Sequence, residues 1–136
     1  MTDSSRTTNA PNGEPQVIVV ADDDEDVREL IQFRLTRAGF RVEAGKDGQE
    51  ALELIQSNHP ALAVLDIMMP KLNGYEVTRA VRSDPAVGST PVLLLTASVQ
   101  EGAASVGFEA GANDHMRKPF SPQELVVRVR SMLGTA

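Results

Sequence analysis

Leu62-Ala63-Val64-Leu65-Asp66-Ile67-Met68-Met69-Pro70 is an apolar run that stops at one carboxylate and meets a proline four residues later. A short apolar run bounded by breakers reads as a buried strand. The break in polarity at Asp66 places its carboxylate at the strand's C-terminal end. In open α/β sheets that end faces the ligand crevice. What gathers around Asp66 is therefore the question put to the rest of the chain.

Outward from this strand, the same unit repeats. Gln16-Val17-Ile18-Val19-Val20-Ala21 is a continuous apolar strand that runs into Asp22-Asp23-Asp24-Glu25-Asp26. Val27, Leu30, Ile31, Leu35 and Ala38 follow at helical spacing, and Gly39 ends that helix. Arg41 to Ala44 is a short second strand. Asp47-Gly48-Gln49-Glu50, Asn73-Gly74-Tyr75-Glu76, Ser98-Val99-Gln100-Glu101 and Ser121-Pro122-Gln123-Glu124 each pair a cap residue with a Glu three positions on, the signature of a helix start. Ala51, Leu52, Leu54 and Ile55 line the helix after Asp47. Val77, Ala80 and Val81 line the next, which Asp84-Pro85 ends. Pro91 to Thr96 is a fourth strand. The helix after Ser98 contains Gly102 and Gly107, each costing roughly 1 kcal/mol against Ala, and is expected to be the least stable. His115 to Arg117 is a fifth strand before Lys118-Pro119, and Leu125, Val126, Val129 and Leu133 mark the last helix's inner face.

Apolar strands without alternation imply a parallel sheet covered on both faces. Right-handed crossovers leave few topologies, and the fold expected is α/β: a flavodoxin-like, doubly wound, five-stranded parallel sheet in the order 2-1-3-4-5. Residues 1–15, rich in Ser, Thr, Asn, Pro and Gly, read as a disordered leader, and residues 16–134 as the folded domain. Cys is absent, which excludes disulfides and thiol chemistry. A formal net charge of −6 argues against direct nucleic-acid binding. With neither a membrane-length apolar run nor a signal core, the expected location is the cytoplasm.

All strands of a parallel sheet end on one edge. Here that edge receives Asp22 and Asp23, Asp66, Thr96 and Lys118. Two like charges about 4 Å apart repel by ~4 kcal/mol at an effective dielectric near 20. Three acids in one crevice therefore need a cation or must stay partly protonated. Lys118 supplies one charge and leaves an excess. Oxygen-only ligands, few in number, favour Mg²⁺, which keeps waters and binds phosphate oxygens. A carboxylate beside Mg²⁺, a lysine and a hydroxyl suits phosphoryl transfer to aspartate.

Val19-Val20-Ala21-Asp22-Asp23-Asp24, Leu65-Asp66-Ile67-Met68-Met69-Pro70, Leu95-Thr96-Ala97-Ser98 and Lys118-Pro119-Phe120 together resemble the receiver domain of two-component response regulators, of the chemotaxis-regulator kind. The likeness runs from about Val17 to Leu133. It implies that Asp66 is the phosphoacceptor. Asp23, Asp66 and the Met68 carbonyl would ligate Mg²⁺, with Asp22 acting through a metal-bound water. Thr96 and Lys118 would hold the phosphoryl oxygens. The donor implied is a sensor histidine kinase or histidine phosphotransfer protein. The receiver of the signal would be a downstream output protein or fused output domain, with a phosphorylation-dependent dimer left open. Such a chain is a self-phosphorylating and self-dephosphorylating switch rather than an enzyme acting on a separate substrate. The resemblance also implies a cis Lys118-Pro119 bond. It gives Met68 and Ser98 influence over the lifetime of the phosphoaspartate, with slow hydrolysis expected from their lack of charge. Thr96 and position 115 would form the conformational switch. There the family commonly has Tyr or Phe, and this chain has His115, whose charge near neutral pH would weigh against inward packing.

Other readings fit less well. As a calcium loop the acidic run fails, because Val27 stands where the turn glycine belongs and Phe33 where the bidentate Glu belongs. A phosphatase of the haloacid-dehalogenase type needs a second Asp at the position of Met68. A nucleotide fold needs a Gly-rich first turn, which Val20-Ala21-Asp22-Asp23 lacks. A degenerate scaffold receiver would have lost an acid or the lysine. Met68 and Met69 otherwise read as loop-packing residues.

Overall fold

The computed structural model describes residues 13–97 and 110–134. In chain order the elements are β1 (Val17–Ala21), α1 (Glu25–Arg37), β2 (Arg41–Gly45), α2 (Gly48–Asn58), β3 (Leu62–Asp66), α3 (Gly74–Ser83), β4 (Val92–Thr96), β5 (Asp114–Arg117) and α4 (Pro122–Met132). The five strands form one sheet in the order β2-β1-β3-β4-β5, and every neighbouring pair is parallel. This is the expected doubly wound order. The leader through Asn12 and the helix expected after Ser98 lie outside the described residues, apart from Ala110.

Alternate residues of each central strand feed two separate cores. Val19, Ala21, Ala63, Leu65, Val92 and Leu94 pack with Ala51, Ile55, Val77 and Val81 of α2 and α3. Ile18, Val20, Leu62, Val64, Leu93 and Leu95 pack with Ile31, Leu35, Leu125 and Val129 of α1 and α4. Both faces are covered, so β3 and β4 are buried along their whole length. Each fully buried Leu, Ile or Val contributes about 1.5–3 kcal/mol.

The caps read from sequence are present where described. Asp47 accepts from the Glu50 N–H, Asn73 and Glu76 form a reciprocal capping box, and Ser121 accepts from the Glu124 N–H with Pro122 in the first turn. Asp24 caps α1, accepting from the Asp26 and Val27 N–H groups. Two expected core positions are corrected. Leu30 is 42% exposed, because α1 buries only the stripe through Ile31 and Leu35 and rotates Leu30 past its edge. Ala80 is likewise only half-buried, while Thr78, not expected inside, is buried with its hydroxyl donating to the Gly74 carbonyl at 2.7 Å.

At the opposite edge, where β4 and β5 begin, Arg82 ties α3 to the segments that lead into these strands. Its guanidinium donates to the carbonyls of Gly111 (2.9 Å), Gly88 (3.1 Å) and Thr90 (2.7 Å) and to Asn113 Oδ1 (2.8 Å). Asn113 Oδ1 also accepts from the Val92 N–H. Burial depresses the guanidinium pKa, as expected of a cation satisfied by neutral oxygens. Arg82→Ala would strand these acceptors and is expected to cost about 3 kcal/mol. Urea unfolding measures it; a loss below about 1 kcal/mol would show that water replaces the guanidinium readily. Arg82→Lys should recover little, since an ammonium lacks the planar fork.

Candidate functional site

Strand register assembles the site. Ala21 pairs with Leu65, so the residues that follow them, Asp22 and Asp66, stand side by side at the ends of neighbouring strands. Asp66 itself pairs with Leu95, and Thr96 pairs with Arg117, which brings Thr96 and Lys118 to the same edge. The Lys118 N–H donates to the Thr96 carbonyl at 2.8 Å, and the Lys118–Pro119 bond is cis, as the resemblance implied.

Lys118 Nζ lies 2.9 Å from Asp22 Oδ2 and 3.4 Å from Asp66 Oδ1. Asp22 and Asp66 are buried, whereas Asp23 is exposed at the mouth. One carboxylate oxygen from each of Asp22, Asp23 and Asp66 lies within 4.8 Å of the others. Thr96 is buried at the end of β4, and Met68 projects into solvent at 72% exposure. Met69, in contrast, packs into the α2/α3 core, so the loop-packing reading holds for one of the two methionines.

The electrostatics reflect crowding. Burial, reinforced by the Asp22 charge and opposed by Lys118, raises the Asp66 carboxyl from 3.8 to about 6. Burial pulls the Lys118 ammonium down, but its hydrogen bond to Asp22 and the charges of Asp66 and Asp22 outweigh this and leave its pKa raised. One ammonium thus fails to compensate the acids. An all-oxygen cleft with surplus negative charge fits a hard divalent cation. Burial also lowers the His115 pKa, against the pull of Asp114. A lowered pKa favours the neutral ring, so charge weighs less against inward packing than it would for a free histidine.

Several supporting residues were not singled out from sequence. Arg28 Nη1 donates to the Asp22 carbonyl at 2.8 Å, and the Asp24 N–H donates to Asp22 Oδ1 at 3.0 Å, which together fix the acidic turn. A Cβ on Gly74 would stand 2.7 Å from the Asp66 carbonyl, so only glycine lets α3 begin directly beneath Asp66. The loop after β3 is held from the other side. The Gly48 N–H donates to the Pro70 carbonyl at 3.2 Å, and Lys71, at φ 72°, reaches Asp47 at 3.6 Å. The backbone hydrogen bond from Glu50, opposed by burial and aided by Lys71, keeps the Asp47 carboxyl below its ordinary range.

The acids, the hydroxyl and the lysine thus share the edge at which doubly wound sheets bind their ligands. The model of the response regulator receiver domain family matches residues 18–130, and the chain belongs to that family. It is 43% identical over 116 residues to the alkaline phosphatase synthesis transcriptional regulatory protein PhoP of Bacillus subtilis, covering 85% of this chain and 48% of that protein. It is 44% identical over 119 residues to the response regulator MprA of Mycolicibacterium vanbaalenii, covering 88% and 51%. The receiver domain of the Francisella response regulator 1452 superposes with a TM-score of 0.81 at 33% identity, over 88% of this chain and 97% of that one. The chain spans about half the length of the curated relatives it matches. Among the described residues, no helix is long and apolar enough to cross a membrane.

Proposed function

We propose that Asp66 is the phosphoacceptor of this receiver domain, and that a phosphohistidine on a sensor histidine kinase or histidine phosphotransfer protein is the donor. The observation that carries this reading is the placement of Asp66 beside Lys118 at 3.4 Å, in the same cleft as Asp22 and Asp23. A carboxylate oxygen of Asp66 attacks phosphorus, the P–N bond to the donor imidazole breaks, and an acyl phosphate forms on Asp66. Lys118 neutralises a phosphoryl oxygen as charge develops, and the Thr96 hydroxyl donates to another. Asp22, Asp23, Asp66 and the Met68 carbonyl are the groups that would hold Mg²⁺. An ion held there would supply charge to neutralise phosphoryl oxygens.

The raised pKa of Asp66 supports this reading in one respect: a carboxylate destabilised by burial and by Asp22 gains from a cation held between the acids. Thr96 moves toward the phosphoryl group, and His115 on the adjacent strand fills the space it leaves. The altered surface then controls an output protein or a fused output domain, in a cytoplasmic two-component pathway. Hydrolysis of the acyl phosphate by the same cleft resets the switch, slowly because Met68 offers no charged group to orient water. The folded unit is residues 16–134.

Labelling with acetyl phosphate tests the acceptor and its ion together. With Mg²⁺, intact-mass analysis should show one added phosphoryl group; with chelator it should show none. Mg²⁺ should also raise the unfolding free energy, by about 1.4 kcal/mol at ten times its Kd. Asp23→Ala, which removes the exposed ligand, should weaken that response at least about tenfold in Mg²⁺ concentration. An unchanged response would show that the ion sits elsewhere.

A further inference from the structure

Residues 45–48, between β2 and α2, supply none of the groups proposed to hold the ion, yet they touch both turns that do. On one side the Gly45 carbonyl accepts from the Asp22 N–H at 3.3 Å, in the acidic turn. On the other, the Gly48 N–H donates to the Pro70 carbonyl at 3.2 Å, in the turn that carries Met68. Asp47, buried, reaches the same turn through Lys71 Nζ at 3.6 Å. The connection is itself closed by Glu50, whose Oε1 accepts from the Lys46 N–H at 2.9 Å and whose N–H donates to Asp47 Oδ1 at 2.8 Å.

The turn after β3 depends on this support. Of residues 68–71 only Met69 is buried, so the segment gains little from its own packing. Its backbone is strained as well. Lys71 has φ 72°, and the Leu72 N–H donates back to the Pro70 carbonyl at 2.9 Å, which makes a γ-turn of the rare positive-φ kind. Such a conformation persists where its surroundings over-determine it. The Pro70 carbonyl accepts from both Leu72 and Gly48, so the hydrogen bond that closes the turn shares its acceptor with the one that pins it. A Cβ on Gly48 would overlap the Leu72 carbonyl. Space, not a positive φ, therefore requires glycine at this position.

We propose that Asp47 and Gly48 are positioning residues for the ion: they fix the turn that carries the Met68 carbonyl relative to the acidic turn, and so set a preference for Mg²⁺ over Ca²⁺. The proposal rests on the ligand set given above. Mg²⁺ requires near-octahedral oxygens at about 2.0–2.1 Å, whereas Ca²⁺ accepts about 2.3–2.6 Å and looser geometry. Two turns held at one spacing favour the stricter ion. Freeing one of them costs Mg²⁺ more than Ca²⁺, because Ca²⁺ tolerates a displaced carbonyl. Groups that orient ligands without touching the metal commonly carry about 10- to 100-fold of its affinity.

The test is titration of the full chain with MgCl₂ and, separately, with CaCl₂, followed by backbone-amide NMR, with no phosphodonor present. Gly48→Ala should raise the Mg²⁺ Kd about tenfold or more and the Ca²⁺ Kd by less, so that discrimination between the ions falls. Ala is the better helix former, so a defect would not come from weakening α2. Asp47→Ser keeps a cap for the Glu50 N–H but is too short to reach Lys71, and should shift the ratio in the same direction by a smaller factor. Melting in chelator checks that each variant is folded; if Gly48→Ala melts early, Asp47→Ser decides. Equal losses for both ions would mean general loosening and overturn the proposal, as would unchanged Mg²⁺ binding. Asp23→Ala separates this failure from that of the ligand set. If Asp23→Ala weakens Mg²⁺ binding and the Gly48 and Asp47 variants do not, only the positioning role falls. If Asp23→Ala also binds Mg²⁺ as wild type does, the ligand set is wrong and the positioning role falls with it.

Discussion

Asp66→Asn is expected to abolish phosphoryl acceptance and, at neutral pH, to make the ion-free protein more stable than wild type. The first effect follows from chemistry: an amide oxygen cannot form the acyl phosphate, and Asp22, engaged by Lys118 and the Asp24 N–H, is not free to substitute. The second follows from linkage. The folded-state pKa of Asp66 is raised from 3.8 to about 6, so the folded protein binds a proton that the unfolded chain releases. A raised acid pKa contributes stability that is complete below about pH 4 and is lost as pH rises through about 6. Above that range the buried carboxylate destabilises the fold, by about 1–2 kcal/mol once screening through the cleft's open side is allowed for. Asn carries no such charge. Urea unfolding in chelator should therefore show the variant gaining on wild type between pH 4 and pH 7, with the gap narrowing when Mg²⁺ is added. Phosphoryl transfer to the variant at wild-type rates would place the acceptor on another residue. A pH-independent gap would mean that Asp66 is not strained by its neighbours.

Lys118→Met should be nearly as damaging to phosphoryl transfer. Lys118 is the cation that touches both Asp22 and Asp66. Removing one preorganised charge from a phosphoryl-accepting site costs about 10²–10³ in rate. Acetyl phosphate labelling at saturating Mg²⁺ should slow by that factor, whereas the Asp23→Ala defect should be relieved as Mg²⁺ is raised. Lys118→Arg keeps the charge but replaces a compact ammonium with a broad fork, so it should recover only part of the rate. The pH signature separates the two residues. The Lys118 pKa lies above its ordinary 10.5, so its stabilising contribution is complete below that value and is lost only as pH rises through the higher folded value. Between pH 4 and pH 9 the ammonium is constant, so a slope there belongs to groups other than Lys118. Labelling of Lys118→Met at the wild-type rate would remove this lysine from the mechanism.

What could be read from the chain alone was whatever depends on local pattern. The caps at Asp47, Asn73 and Ser121, the continuous apolar strands that run into Asp22, Asp66 and Thr96, and the short strand before Lys118 are such patterns, and each lies where expected. The edge they share also needed no long-range knowledge, because parallel strands must finish on one side. Tertiary structure decided matters that depend on who packs against whom. Helical spacing alone could not tell that Leu30 faces outward, since the buried stripe is set by where α1 meets the sheet. Nothing near Arg82 in sequence announces that it bonds Gly111 and Asn113, 29 and 31 residues away. The raised pKa of Asp66 arises from burial and from Asp22 on the next strand, and a groove between α1 and α4 joins segments at opposite ends of the domain. Periodicity and capping are properties of a dozen neighbouring residues and survive in the bare sequence. Desolvation, charge coupling and surface shape exist only once distant segments share a boundary with water.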